Sequence, residues 1–249
     1  MKKVGVVFSG GGALATAHLG LLKVLEEQNS KPDFFSGNSA GALIGTLYAY
    51  GYTIEEILEI IIKEEWLAVP FQKLKEKRIL DINDMFESFK NYLPETFKSD
   101  NVFISATDIN SGEVVTFNSG NLKQTLKASV ALSTFFKPVS YQEKSLVDSA
   151  LLDNFHVTPL LNKCDVIYGS YAIPMTPFIP ELETNVQQLI NRLFAINGYQ
   201  RAKQKFHLCD FMFDHQYLKE FKILDKDKLK TIYEKSYEYC KRKLELKAV

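Results

Sequence analysis

A chain of 249 residues with 46% hydrophobic and 24% charged side chains is long enough for one large α/β domain with a substantial core, and does not need two. Its three cysteines, Cys164, Cys209 and Cys240, are odd in number and form no C-x-x-C pair, which excludes a disulfide framework or a zinc site and leaves reduced thiols in a cytoplasm as the expectation. No apolar run approaches the ~20 residues of a membrane span, so any membrane contact is expected to be peripheral.

The formal net charge is zero, but residues 1–199 carry 17 basic and 22 acidic side chains while residues 200–249 carry 13 and 8. A solvated, charged helical surface is the expected use of that basic tail, with no nucleic-acid partner. At the other end, Met1-Lys2-Lys3, the apolar run and Ala13-Leu14-Ala15 imitate a signal peptide. Three successive glycines interrupt the imitation, and retention of the segment is expected.

Val4–Phe8 reads as a short, buried parallel strand running into Gly10-Gly11-Gly12. Leu14, Ala17, His18, Leu21, Leu22 and Leu25 then recur at helical spacing. Phe34-Phe35-Ser36 is a second brief strand, ending at Gly37-Asn38-Ser39-Ala40-Gly41, after which Leu43, Ile44, Leu47 and Tyr48 resume a helical period. Thr53 with Glu56 has the spacing of a capping box ahead of a further helix.

Residues 63–101 mix Trp66, Phe71, Phe86, Phe89 and Tyr92 with many lysines, which suits a helical flap as well as plain surface helices, and Trp66–Tyr92 could serve as a lid or lipid-contact surface. Strands follow at Val102–Thr107 and Val114–Phe117, and Val166–Tyr171 is the last clear one. Residues 181–249 read as a helical C-terminal region, with Val186, Leu189, Ile190, Leu193 and Phe194 on one helix face. Strands alternating with helices predict a mostly parallel central sheet sandwiched by helices, in a single domain over 1–249.

Two glycine turns carry the chemistry. A nucleophilic serine must protrude beyond its strand, which requires tiny residues two before and two after it, and Gly37 and Gly41 flank Ser39 in that way. Acyl transfer also develops an oxyanion, for which a glycine run at a helix start offers unobstructed N–H donors. A rival reading takes Gly10-x-Gly12-x-x-Ala15 as a dinucleotide fingerprint with Asp33 as its ribose acid, although Asp33 precedes its strand instead of ending it. Of the four histidines, His18 fits a packed core position, His207 and His215 belong to the C-terminal region, and neither these nor His156 presents itself as a partner for Ser39.

Four blocks in order give the chain a resemblance to the patatin-like phospholipases. They are Ser9-Gly10-Gly11-Gly12-Ala13 continuing to Ala17-His18-Leu19-Gly20, then Gly37–Gly41, then Ala128-Ser129-Val130-Ala131-Leu132 leading to Phe136-Lys137-Pro138-Val139, and finally Val147-Asp148-Ser149-Ala150 followed by Leu151–Asn154. The resemblance covers roughly residues 4–160. It implies a three-layer patatin-like fold and a Ser-Asp dyad in which Ser39 attacks an acyl ester and Asp148 takes its proton. It places the oxyanion donors at Gly10, Gly11, Gly12 and Ala13, joined by Ala40.

The implied substrate is a phospholipid or other acyl-ester lipid, with no cofactor and no metal. A carboxylate is a weak base toward a serine hydroxyl, but apolar surroundings supplied by Val147, Leu151 and Leu152 are expected to raise its pKa. Leu14 stands where the family has a basic residue, and Ala15 and Ser149 replace family glycines. Those departures keep open a second reading, a degenerate member that binds lipid or a protein partner through the same pocket.

Overall fold

In the computed structural model, residues 2–64, 82–132, 136–178 and 185–246 are described. The strands are β1 (Val4–Phe8), β2 (Phe34–Asn38), β3 (Thr96–Lys98), β4 (Val102–Asp108), β5 (Glu113–Phe117), β6 (Ser119–Asn121), β7 (Val139–Tyr141), β8 (Lys144–Asp148), β9 (Val166–Tyr171) and β10 (Phe211–Asp214). The α-helices are α1 (Ala17–Glu27), α2 (Ser39–Ala49), α3 (Ile54–Glu64), α4 (Leu122–Val130), α5 (Val186–Lys203) and α6 (Leu229–Glu245).

Eight strands form one sheet, in the order β10-β9-β1-β2-β4-β8-β7 with β5 also paired to β4. The five from β10 to β4 are parallel, and β5, β7 and β8 add antiparallel pairings. Strand β1 lies at the centre because its five residues are buried on both faces, as a parallel strand covered by helices requires. Alternation then sorts its side chains: Val4, Val6 and Phe8 join the core beneath α1, α2, α3 and α6, while Val7 joins Phe155, Leu160, Ile167 and Tyr171 on the other face. This is the helix-sandwiched, mostly parallel sheet that the sequence predicts.

The basic C-terminal segment packs through α6. Leu229, Ile232, Cys240 and Leu244 are buried, and Ser236 Oγ donates to the Ala17 carbonyl. A side chain at Gly20 would press on the Tyr237 backbone, so that glycine allows α1 and α6 to cross at backbone contact. The capping box at α3 forms, with Thr53 N–H donating to Glu56 at 2.8 Å and Glu56 N–H to Thr53 Oγ1 at 3.2 Å.

Three features differ from the sequence reading. Strand β10 follows the one read as last, pairing with β9 at the sheet edge. The β7–β8 hairpin was not anticipated, since Gln142 and Glu143 turn it at φ 51° and 59° without the glycine or asparagine that marks such turns. In the aromatic segment, Phe86 and Phe89 are buried in the main core beside Ile82, Leu93 and Phe97, so these two rings face protein instead of lipid. Trp66 and Phe71 lie outside the described residues.

Candidate active site

Strand β4 sets the geometry of the site. Ser105 pairs with Thr116 of β5 on one side and Asn38 of β2 on the other, whereas the next residue, Ala106, pairs with Val115 and with Asp148 of β8. Strands β2 and β8 therefore run toward each other along the same edge of β4 and meet end to end. Ser39, the residue after β2, and Asp148, the last of β8, arrive at that junction from opposite directions.

The turn at Ser39 is sharp. Ser39 has φ 52°, a left-handed conformation that a non-glycine residue holds only when its surroundings impose it. Its N–H donates to Ser129 Oγ of α4 at 2.8 Å. A side chain at Gly37 would lie 2.8 Å from Ala42 N, and one at Gly41 would meet the Ser9 and Phe8 carbonyls, so both flanking glycines are fixed by close approach. Ser39 is half-buried between the buried Asn38 and Ala40.

Asp148 is buried, and its carboxylate accepts hydrogen bonds from the Ala150 N–H at 2.8 Å and from the Ser39 and Asn38 side chains. Burial is the largest influence and raises its pKa from 3.8 to about 6, against the opposing pull of those three donors. Its own N–H donates to the Ala131 carbonyl at 3.0 Å. The block around Ser129 thus braces both candidate residues, one through a hydroxyl and the other through a carbonyl.

The glycine loop abuts the same junction. A side chain at Gly10 would lie 2.8 Å from Ser39 Cβ, so only glycine brings that backbone so near. Of the donors expected from the loop, two are already committed: Gly10 N–H is shared between Asn38 Oδ1 at 3.1 Å and Asn154 Oδ1 at 3.0 Å, and Ala13 N–H donates to the Ile223 carbonyl at 2.9 Å. The N–H groups of Gly11, Gly12 and Ala40 have no hydrogen-bond acceptor among the described residues. Asn38 Nδ2 donates in turn to Asn154 Oδ1 at 2.8 Å, which makes the two amides a clip between the loop and the Asp148 carboxylate.

Behind the loop runs a buried chain of hydrogen bonds whose direction follows from its first acceptor. The Ser9 carbonyl accepts from His18 Nε2 at 2.9 Å, so a neutral His18 takes the Ser170 hydroxyl proton on Nδ1 at 2.8 Å. Ser170 Oγ then accepts from His215 Nε2 at 2.9 Å, and His215 Nδ1 from Tyr217 at 3.0 Å. Burial lowers the His18 pKa from 6.5 to about 4 despite the Ser9 bond, which keeps the ring neutral. His18 is a core histidine, as its sequence position indicates.

None of the other histidines reaches Ser39 through a hydrogen bond. His156 is held by Asp153 at 2.8 Å and Thr116 at 2.8 Å, and His207 is exposed. Asp153, the nearby carboxylate, is a structural ion: burial opposes its charge, but hydrogen bonds from His156 and Lys205 prevail and lower its pKa to about 2. Asp33 accepts from Val4 N–H at the start of β1, the end remote from Gly10, so the dinucleotide reading loses its ribose-binding acid.

The family departures find places here too. Leu14 is buried against Ala17, Ala172, Leu218 and Ile232, where a basic side chain would need a partner, and Ser149 Oγ bonds Ser105 Oγ at 2.9 Å.

The family model described as Patatin-like phospholipase matches residues 6–161, more than half of the chain and all four motif blocks. The chain belongs to the patatin-like phospholipase family. Among curated relatives, it is 23% identical to the lysophospholipase NTE1 of Kluyveromyces lactis, over 96% of this chain and 19% of that protein. It is also 25% identical to the patatin-like phospholipase domain-containing protein ZK370.4 of Caenorhabditis elegans, over 95% of this chain and 20% of that one.

The chain thus spans about a fifth of the length of these two relatives. Among solved structures, VipD from Legionella pneumophila superposes with a TM-score of 0.46 at 17% identity, covering 68% of this chain and 50% of that one. The patatin-like match ends at residue 161, so β9, β10, α5 and α6 lie beyond it. Sequence reasoning named Ser39 and Asp148 but assigned no role to Asn38, Ser129 or Asn154, although each is a polar residue inside a quoted block.

Proposed function

We propose that this patatin-like protein hydrolyses carboxylic esters of phospholipids or lysophospholipids through an acyl-enzyme on Ser39. The observation that carries the reading is the buried Asp148 carboxylate beside the Ser39 hydroxyl, with a pKa raised to about 6. A base of that strength is still ionised at neutral pH yet takes a proton far more readily than an exposed aspartate.

In the first step the Ser39 proton passes to Asp148 as Oγ bonds the ester carbonyl carbon. The carbonyl oxygen becomes an oxyanion, received by the N–H groups of Gly11, Gly12 and Ala40 and by the positive end of α2. Collapse of the tetrahedral adduct breaks the bond to the alcohol, whose oxygen takes the proton from Asp148. Water then repeats the sequence on the acyl-enzyme, with Asp148 again as base, and releases the fatty acid.

Intact-mass analysis after a fluorophosphonate probe tests this. A single adduct is expected on the native chain and none on Ser39→Ala or Asp148→Asn. Labelling that survives Ser39→Ala refutes the assignment. A folded native chain that binds lipid but takes no label would instead support the degenerate, non-catalytic reading that Leu14 and Ser149 keep open.

A further inference from the structure

Helix α5 begins with a complete capping box, Asn185 and Gln188 bonding each other's backbone N–H, so its start is a defined helix terminus. Its C-terminal half is anchored: Ala202 is buried, Tyr199 donates to Asp214, and Arg201 donates to the Leu152 carbonyl at 2.9 Å. In its N-terminal half Arg192 Nη1 donates to Thr176 Oγ1 at 3.2 Å, but the apolar side chains there stand in water. Val186, Leu189, Ile190, Leu193, Phe194 and Ile196 are all between 37% and 73% exposed. At ~100° per residue they fall on one arc of about 160°, with Gln188, Asn191, Arg192 and Ala195 on the opposite side.

From this geometry we infer that the N-terminal half of α5 is an interfacial helix, which lays its apolar face into an anionic phospholipid surface beside the catalytic junction. Burying that face in the protein would have been the ordinary outcome for such a pattern, and here the pattern faces water. The charge of the helix selects the occupant. Val186–Lys203 contains Arg192, Arg201 and Lys203 and no aspartate or glutamate. A second copy docked through this face would gain nothing from that charge, whereas anionic head groups complement it.

Position argues the same way. A side chain at Gly198 would lie 3.9 Å from the Ala150 carbonyl oxygen, and Arg201 donates to the Leu152 carbonyl, both in the turn that leaves Asp148. A lipid surface met by α5 is therefore met next to the site. The choice of lipid as occupant rests on the lipid-ester reading given above.

The test separates the two. Ser39→Ala protein, which would leave lipid intact, is sedimented with vesicles of phosphatidylcholine alone and of equimolar phosphatidylcholine and phosphatidylglycerol. Binding is expected to both and to be tighter to the anionic vesicles. Adding Leu193→Glu and Phe194→Glu together is expected to weaken it about tenfold or more. With Ser39 intact, the same two substitutions should leave hydrolysis of a soluble short-chain ester and the thermal midpoint unchanged.

Unchanged vesicle binding by the glutamate variant overturns the inference. So does a concentration-dependent dimer that this variant dissolves without any vesicle binding, which would give the face to a second copy. Vesicle binding that depends on Leu193 and Phe194 in a chain without esterase activity would uphold the surface and refute the catalytic reading.

Discussion

Replacing Asp148 by asparagine is expected to abolish activity and, at neutral and alkaline pH, to make the protein more stable. The carboxyl pKa is raised from 3.8 in the unfolded chain to about 6 in the folded one, chiefly by burial. Below pH 3.8 both states are protonated and the group costs nothing. Between 3.8 and about 6 the folded state keeps a proton that the unfolded state has released, so stability falls as pH rises through that window and levels off above it. The full difference is worth roughly 3 kcal/mol at about 1.4 kcal/mol per pH unit.

Asparagine carries no charge, keeps an oxygen for the Ala150 N–H and turns an amide toward the Ser39 hydroxyl. Urea denaturation of both proteins should therefore show the variant more stable by about 3 kcal/mol near pH 8 and by roughly half that near pH 5. Comparing the two proteins at each pH cancels groups they share, such as His18, whose lowered pKa removes stability as pH falls from 6.5 toward about 4. A variant less stable than the wild type near pH 8, or a difference independent of pH, would refute the claim that burial dominates at Asp148. In the wild type, the acid limb of kcat/KM is expected at about 6 instead of at 3.8.

Ser39→Gly removes the left-handed strain at φ 52°, so it should exceed Ser39→Ala in stability by about 1 kcal/mol while both are inactive; equal denaturation midpoints would count against strain at the turn. Gly12→Ala meets a positive φ of 54° and the Ile223 carbonyl, and is expected to cost about 2–4 kcal/mol in a thermal or urea melt. Asn154→Ala leaves Gly10 N–H with Asn38 alone and should lower stability by about 1–3 kcal/mol; a larger fractional loss in kcat than in 1/KM would confirm that the amide clip sets the oxyanion loop.

What the sequence disclosed and what it withheld divide by contact distance along the chain. β1 and the strand at Val166–Tyr171 stand where their apolar runs end, because a buried parallel strand needs an uninterrupted run and glycine or polar residues close it. β2 continues two residues past its apolar portion, through Gly37 and Asn38, since pairing with β1 and β4 carries it into the turn. β10 was missed because its four residues, Phe-Met-Phe-Asp, form a strand only by leaning on β9.

At the candidate site, Ser39 was legible through its glycine-flanked turn, and Asp148 only through the resemblance that its motif block carries. The commitment of Gly10 N–H to Asn154 and of Ala13 N–H to Ile223 was not, since those partners lie more than a hundred residues away and no local pattern marks them. The exposure of the apolar face on α5 was hidden for a similar reason. Periodicity shows that a face exists, and only the surrounding chain decides whether anything covers it.

The meeting of β2 and β8 on one edge of β4 carries a consequence for how the protein fails. Loops usually bring catalytic groups together, and loops loosen well before a domain melts. Here the serine directly follows one hydrogen-bonded rung of the central sheet, Asn38 on Ser105, and the aspartate forms the next, on Ala106. Parting those strands would separate them, so on the proposed function heating should extinguish ester cleavage and the folded-state signal in one coincident transition.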